Sequence, residues 1–322
     1  MRIGVVLPCF KSGHLAVEVI SKIGPEVDTI IVVDDACPQH TGNLVQERVS
    51  DTRVHVIYNE KNLGVGGAVV AGYRYGQSLG LDILVKVDSD GQMDPALIPK
   101  FTGPIEQGKA DYTKGNRFYN VSDVSSMPPV RLIGNAGLSF FNKFSSGYWN
   151  IFDPTNGYTA IHADLVGMLD LDKVESRFFF ESDLLMRLNL VRAVVWDVPM
   201  KAHYGEEVSN LSIADSALTF GGKHIRNFFK RIFYTYFLRD FSIASIQLLL
   251  GAFLMVFSLF VGGEALFVSA QTGVPSTAGT TMLFGVSFLS GLQLLLAFLS
   301  YDYQMIPQRP VHTGGTLKQS ES

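Results

Sequence analysis

The sequence predicts an α/β domain built on a mixed, mostly parallel sheet, followed by a hairpin of two transmembrane helices. Two observations carry this. Short runs rich in Val and Ile alternate with helical segments through the first two thirds of the chain, and two long uncharged runs occupy the last third. Strands with helices on both sheet faces read as near-continuous β-branched runs, because neither face meets water.

The strand runs fall at residues 3–7, 29–33, 54–58 and 83–87, each closing on polar or turn residues. Residues 14–23 and 68–79 have helical character and supply crossover connections. Later runs at 112–114, 158–162 and 194–198 are less regular, so the second half of the sheet is expected to be mixed. Residues 119–129, with three Ser and two Pro, read as a long loop, and such loops inside a compact domain are commonly functional.

Residues 241–263 and 280–300 contain no charge. Each run is long enough to cross a hydrocarbon core of about 30 Å at about 1.5 Å per residue. Lys223, Arg226, Lys230, Arg231 and Arg239 precede the first run and Arg309 and Lys318 follow the second, whereas residues 264–279 hold no Lys or Arg. The positive-inside bias therefore puts both ends in the cytoplasm, as a multi-pass membrane protein. Ile225, Phe228, Phe229, Ile232, Phe233, Tyr236 and Phe237 form one helical stripe just before the first span, among basic residues. Such a helix suits a bilayer interface, or alternatively packs on the globular domain.

Composition narrows the function. Hydrophobic residues make up 47% and charged residues 17%, and the formal net charge is −4, which gives no basic footprint for nucleic acid. The two cysteines, Cys9 and Cys37, offer neither a disulfide framework nor a CxxC pair. The first residues lack the pattern of a signal peptide, so the globular part is expected not to be exported.

The chemistry gathers at strand ends. Val85-Lys-Val-Asp-Ser-Asp-Gly-Gln-Met-Asp-Pro95 delivers Asp88 and Asp90 to the carboxyl end of a strand, where open α/β sheets bind ligands. An Asp-x-Asp pair offers two oxygens to a hard cation such as Mg²⁺ or Mn²⁺, although the same residues alone also suit a solvated turn. Ile30-Ile-Val-Val-Asp-Asp35 brings Asp34 and Asp35 to a second strand end, for a base edge, a ribose hydroxyl or a helix cap. Asn62-Leu-Gly-Val-Gly-Gly-Ala-Val-Val-Ala-Gly72 is not a dinucleotide fingerprint, since the final Gly would have to replace Val69. Its small residues allow close packing or close backbone approach to a ligand.

The ordered motifs Val-Val-Leu-Pro8, Asp34-Asp35, Asn62-Leu-Gly64, Asp88-Ser-Asp90-Gly-Gln92, Gly115-Asn-Arg117 and Asp153-Pro-Thr-Asn-Gly157, with the apolar C-terminal pair, resemble the family 2 glycosyltransferases. The similarity is greatest to the dolichol-phosphate mannose synthase and polyprenyl-phosphate glycosyltransferase branch. It covers about residues 1–210 by motif and the rest by architecture. It implies a GT-A, Rossmann-like nucleotide-sugar domain and inverting transfer of a hexose to a polyprenyl phosphate (undecaprenyl or dolichyl). On this resemblance Pro8, Asp34, Asp35, Asn62 and Gly64 meet the donor, while Asp88, Asp90 and Gln92 hold the metal. Arg117, Arg131 and Lys201 contact phosphate, with His203 and Tyr204 near the acceptor. Asp183 or Glu181 binds sugar hydroxyls or acts as a base, or else both carboxylates merely favour a helix N-terminus.

The implied organisation is a cytosolic catalytic domain at 1–215, a juxtamembrane helix at 216–239, two spans at 240–301 and a cytosolic tail at 302–322, in an expected homo-oligomer. Two departures stand out. The usual Asp-Asp-Gly-Ser is Asp34-Asp-Ala-Cys here, and Val65 replaces a common basic residue. The missing Gln-x-x-Arg-Trp motif, with only two expected spans, argues against a processive polysaccharide synthase. The rival classes are the same fold with a hydroxyl acceptor, and a non-catalytic membrane protein that binds nucleotide sugar or lipid.

Overall fold

In the computed structural model, residues 1–119, 129–201 and 213–314 are described, without the side chains of 129–133 and 213–218. The chain divides into two compact units, residues 1–228 joined by the segment from Pro307 onward, and Phe229–Ile306.

The first unit is a seven-stranded sheet in the order β3-β2-β1-β4-β6-β5-β7. Its strands are β1 (Ile3–Cys9), β2 (Thr29–Asp34), β3 (Val54–Tyr58), β4 (Ile83–Lys86), β5 (Tyr112–Asn116), β6 (Thr159–His162) and β7 (Val195–Pro199). The first four strands pair in parallel, and β6 runs antiparallel to both β4 and β5, so the expectation of a mixed second half is borne out. Helices α1 (Gly13–Ser21), α2 (Thr41–Arg48), α3 (Gly64–Ser78) and α4 (Ile98–Glu106) connect the strands of the first half. The core follows from the sequence pattern: every residue of β1 and β2 is buried, as a strand covered on both faces requires. Further along come α5 (Pro129–Ser146), α6 (Ala163–Met168), α7 (Phe180–Leu190) and α8 (Ile213–Phe233).

Residues 307–314, after the apolar helices, belong to this first unit. Asp111, at the start of β5, accepts from the amides of Val311 at 2.9 Å and His312 at 3.0 Å and pairs with the His312 ring at 2.7 Å. The His162 and His312 rings stack with centroids 4.3 Å apart. Burial favours the neutral acid at Asp111, but these donors outweigh it and hold its pKa below the usual carboxylate range.

The second unit contains α9 (Ile243–Thr272) and α10 (Ala278–Gln304), each long and apolar enough to cross a membrane, with mean hydropathies of 2.3 and 2.1. Ala244, Gly251 and Ser258 recur every seven residues as the buried seam of α9, and Ser287, Gly291 and Phe298 are buried on α10. A Cβ at Gly291 would lie 2.9 Å from the Met255 nitrogen and 3.1 Å from the Gly251 oxygen, so only glycine lets the backbones touch. Small residues at the seam are what helix packing in lipid favours. The outward faces carry exposed Leu249, Phe253, Phe260 and Leu289.

The expected amphipathic stripe divides. Ile225, Phe229 and Phe233 are exposed, whereas Ile232 and Tyr236 are buried. Its basic residues are engaged as well: Lys223 and Arg226 each reach Glu175 at 2.8 Å. Arg231 forms a two-pronged bond with Asp302 at 2.7 and 3.1 Å, and the Tyr236 hydroxyl donates to Asp302 at 2.6 Å. Both charged residues are buried. Removing one partner strands the other charge, so Asp302→Ala is expected to cost about 3–5 kcal/mol. The double variant Arg231→Met with Asp302→Leu should recover most of the loss in thermal unfolding measured in detergent.

Candidate active site

A concavity of about 620 Å³ sits at the carboxyl ends of the first-unit strands. Pairing of β4 with β1 brings the residues after β4 beside Pro8, and the Ser89 hydroxyl donates to the Pro8 carbonyl at 2.8 Å. This bond fixes the turn from which Asp88 and Asp90 face the cavity. Asp90 accepts from the Gln92 amide at 2.9 Å, a turn bond within the motif.

Beneath these carboxylates lies Lys86, a cation inside a buried strand. Its ammonium meets Asp88 Oδ1 at 2.8 Å, the Gly157 carbonyl at 3.1 Å and Glu181 Oε1 at 3.4 Å. Burial penalises the charged form, but Asp88 and Glu181 prevail and the Lys86 pKa is raised. One ammonium thus links the end of β4, the loop before β6 and the first turn of α7. A second buried amine, Lys114, donates to the Asn156 carbonyl, and burial pushes its pKa down to about 8 against the pull of Glu181 and Asp153.

The two adjacent aspartates have parted. Asp34 is buried, with its oxygens taken by the amides of Cys37 and Gly42, both at 2.7 Å, so it closes the turn into α2. Asp35 lines the cavity and accepts from the amides of Leu63 at 2.9 Å and Gly64 at 2.8 Å and from the Asn59 side chain at 2.8 Å. Pro8, Asn62 and Gly64 join it on the wall.

Several sequence candidates lie elsewhere. Arg117 grips Asp153 through two bonds of 2.8 and 2.9 Å and is not on the cavity wall. Gln92 and Lys201 line a separate concavity of about 340 Å³. Asp183 is buried and accepts from Arg187 at 2.8 Å, Asn227 at 3.0 Å and the Glu175 amide at 3.1 Å. A carboxylate so enclosed braces the fold, and Glu181 is the member of the pair that reaches the cavity. The Arg131 side chain, His203, Tyr204 and most of the Ser-rich loop lie outside the described residues. Arg177, Phe178 and Phe220 also line the cavity and were not singled out from sequence. Lys86 carried a readable signal, as a lone charge within an apolar run.

Among the described residues no three His, Cys, Asp or Glu side chains gather as a metal cage. Asp88 and Asp90 nonetheless fit a hard divalent cation that takes its other ligands from water and diphosphate oxygens.

The family model described as glycosyl transferase family 2 matches residues 5–167. The chain belongs to this family. Within it, the chain is 31% identical over 205 residues to an undecaprenyl-phosphate mannosyltransferase of Micrococcus luteus, covering 62% of this chain and 83% of that protein. It is 30% identical to a polyprenol monophosphomannose synthase of Mycolicibacterium smegmatis, covering 57% and 70%. The fold matches glucosyl-3-phosphoglycerate synthase from Mycobacterium tuberculosis, crystallised with UDP, at TM-score 0.51 and 19% identity, over 71% of this chain and 79% of that one. The resemblance expected from the motifs is borne out, as is the α/β fold class. The protein is a glycosyltransferase.

Lys86→Met would leave Asp88 and Glu181 without their shared counter-charge. The expected cost is about 3–5 kcal/mol, read as a lowered unfolding midpoint in detergent.

Proposed function

We propose that the protein moves a hexose from a nucleotide sugar to a polyprenyl phosphate at a membrane surface. The observation that carries this is a cavity pairing cation-competent carboxylates with exposed aromatics, on a chain that also has two membrane-length helices. The relatives named for undecaprenyl and polyprenol acceptors support the same reading. In this reading residues 1–215 are the cytosolic catalytic domain, 216–239 the juxtamembrane helix and 240–301 the anchor, with both ends cytoplasmic.

An acceptor phosphate monoester has a second pKa near ~6 and is already an anion at neutral pH. Its oxygen attacks the anomeric carbon of the hexose with inversion as the bond to the diphosphate breaks, and the nucleoside diphosphate leaves with the electron pair. No general base is needed. Mg²⁺ or Mn²⁺ held by Asp88 and Asp90 would compensate the charge of the leaving diphosphate. Lys86 holds Asp88 in place, while Asp35 fixes the loop carrying Asn62 and Gly64 against the donor. Charge placed in advance in a site sheltered from water stabilises a developing anion most effectively.

The test is incorporation of labelled hexose into lipid by purified protein in bilayers, given undecaprenyl or dolichyl phosphate and a panel of nucleotide sugars. Turnover should vanish with a chelator, return with Mg²⁺ or Mn²⁺, and fall at least about 100-fold in Asp90→Asn, the scale of losing one strong transition-state contact.

Glu181 on the cavity wall favours a second reading, a hydroxyl acceptor with Glu181 as base. The pH profile separates the two. A phosphate acceptor gives a rate that rises through about pH 6 as the acceptor ionises, in wild type and in Glu181→Gln alike. A hydroxyl acceptor makes Glu181→Gln lose about 100-fold or more, together with its acid limb.

A further inference from the structure

The start of α3 has the form of an anion site, but its amides are already committed. Leu63 and Gly64 donate to Asp35, and Gly66 and Gly67 donate to the Ser176 carbonyl at 2.8 and 3.2 Å. These four amides are therefore not available to capture phosphate at the helix N-terminus. Glycine makes that commitment achievable. Gly64 sits at φ +81°, and a Cβ there would lie 2.6 Å from the Ser176 oxygen; at Gly66 it would lie 2.5 Å from the Glu175 oxygen. The glycine-rich stretch thus seats the backbone of residues 175–176 on the helix start.

The seated segment is also fastened from the other side. Glu175 bonds Lys223 and Arg226 through its carboxylate and Asp183 through its amide. Asp183 is in turn held by Arg187 and Asn227. What this fastening presents to the cavity is Arg177, followed by Phe178, which is 63% exposed, with Phe220 of α8 on the same wall.

Phosphate in this cavity needs a cation, and most nearby cations are committed. Lys86 is shared by Asp88 and Glu181, Arg117 is gripped by Asp153, and Lys223 and Arg226 hold Glu175. Lys11 also lines the cavity, with its ammonium 5.5 Å from the centre of the Phe10 ring. Arg177 lines the cavity with a guanidinium that meets no carboxylate among the described residues. A guanidinium fork matches phosphate oxygens, and the exposed Phe178 with the half-buried Phe220 on the same wall suit a hydrocarbon chain attached to that phosphate.

We propose that Arg177 binds the phosphate of the lipid acceptor, with Phe178 and Phe220 receiving the adjoining isoprenoid units. The assignment rests on the transferase reading above. Asp183 and Glu175 are positioning residues that act through Arg177.

The test uses full-length protein in bilayers, with polyprenyl phosphate and nucleotide sugar varied separately. Arg177→Gln should raise the acceptor KM at least about 30-fold, with donor KM within threefold and nucleoside diphosphate affinity by calorimetry unchanged. Arg177→Lys should recover part of the loss. Phe178→Ala should raise KM for a long-chain polyprenyl phosphate more than for a short, water-soluble isoprenyl phosphate. A rise confined to donor KM would place Arg177 on the diphosphate instead and overturn the proposal, as would unchanged KM for both substrates. Wild-type protein that makes no lipid-linked sugar would sink the transferase reading itself, a result distinct from either.

Discussion

A single ammonium in the sheet organises the site. Lys86 has no water to solvate it, so its charge survives only because Asp88, Glu181 and the Gly157 carbonyl converge on it. Those partners come from three separate segments, and meeting one cation forces them into register. The cavity inherits its shape from that requirement. Asp88 faces a ligand with one side while its other oxygen is anchored from below, and Glu181 reaches the wall because the amine draws the first turn of α7 inward.

Much of the fold was legible because it follows from local pattern. Buried β-branched runs gave four parallel strands, and two uncharged runs gave two long helices. The site was legible only in part, for reasons of geometry. Asp34 and Asp35 are neighbours in extended chain, where successive side chains point to opposite sides, and only the packing of α2 and α3 decides which side is cavity. Glu181 and Asp183 are two apart on a helix, about 200° around its axis, so one faces the ligand space and the other the interior. Arg117 looked like a phosphate contact because its carboxylate partner, Asp153, lies far along the chain. Arg177 had no local signature, since its position depends on glycines more than a hundred residues earlier.

The same reasoning revises the cations of α8. Sequence alone offered this helix either a bilayer interface or the globular domain, and Lys223 and Arg226 fasten the segment that presents Arg177, while Arg231 is sealed against Asp302. Here a basic amphipathic helix spends much of its charge on its own protein. The exposed Ile225, Phe229 and Phe233 remain as its outward apolar edge.

Asp111 sits at the amino edge of the sheet, opposite the cavity, and has a consequence for how the molecule is made. Its partners Val311 and His312 lie 200 and 201 residues further along the chain. A ribosome must finish both apolar helices before these donors emerge, so this edge of the sheet closes late, after both helices have been made. A chain shortened before the first long apolar helix would lose more than the two helices. It would keep a buried aspartate whose remaining donor among the described residues is the Val194 amide, and so would carry a fault in the sheet itself.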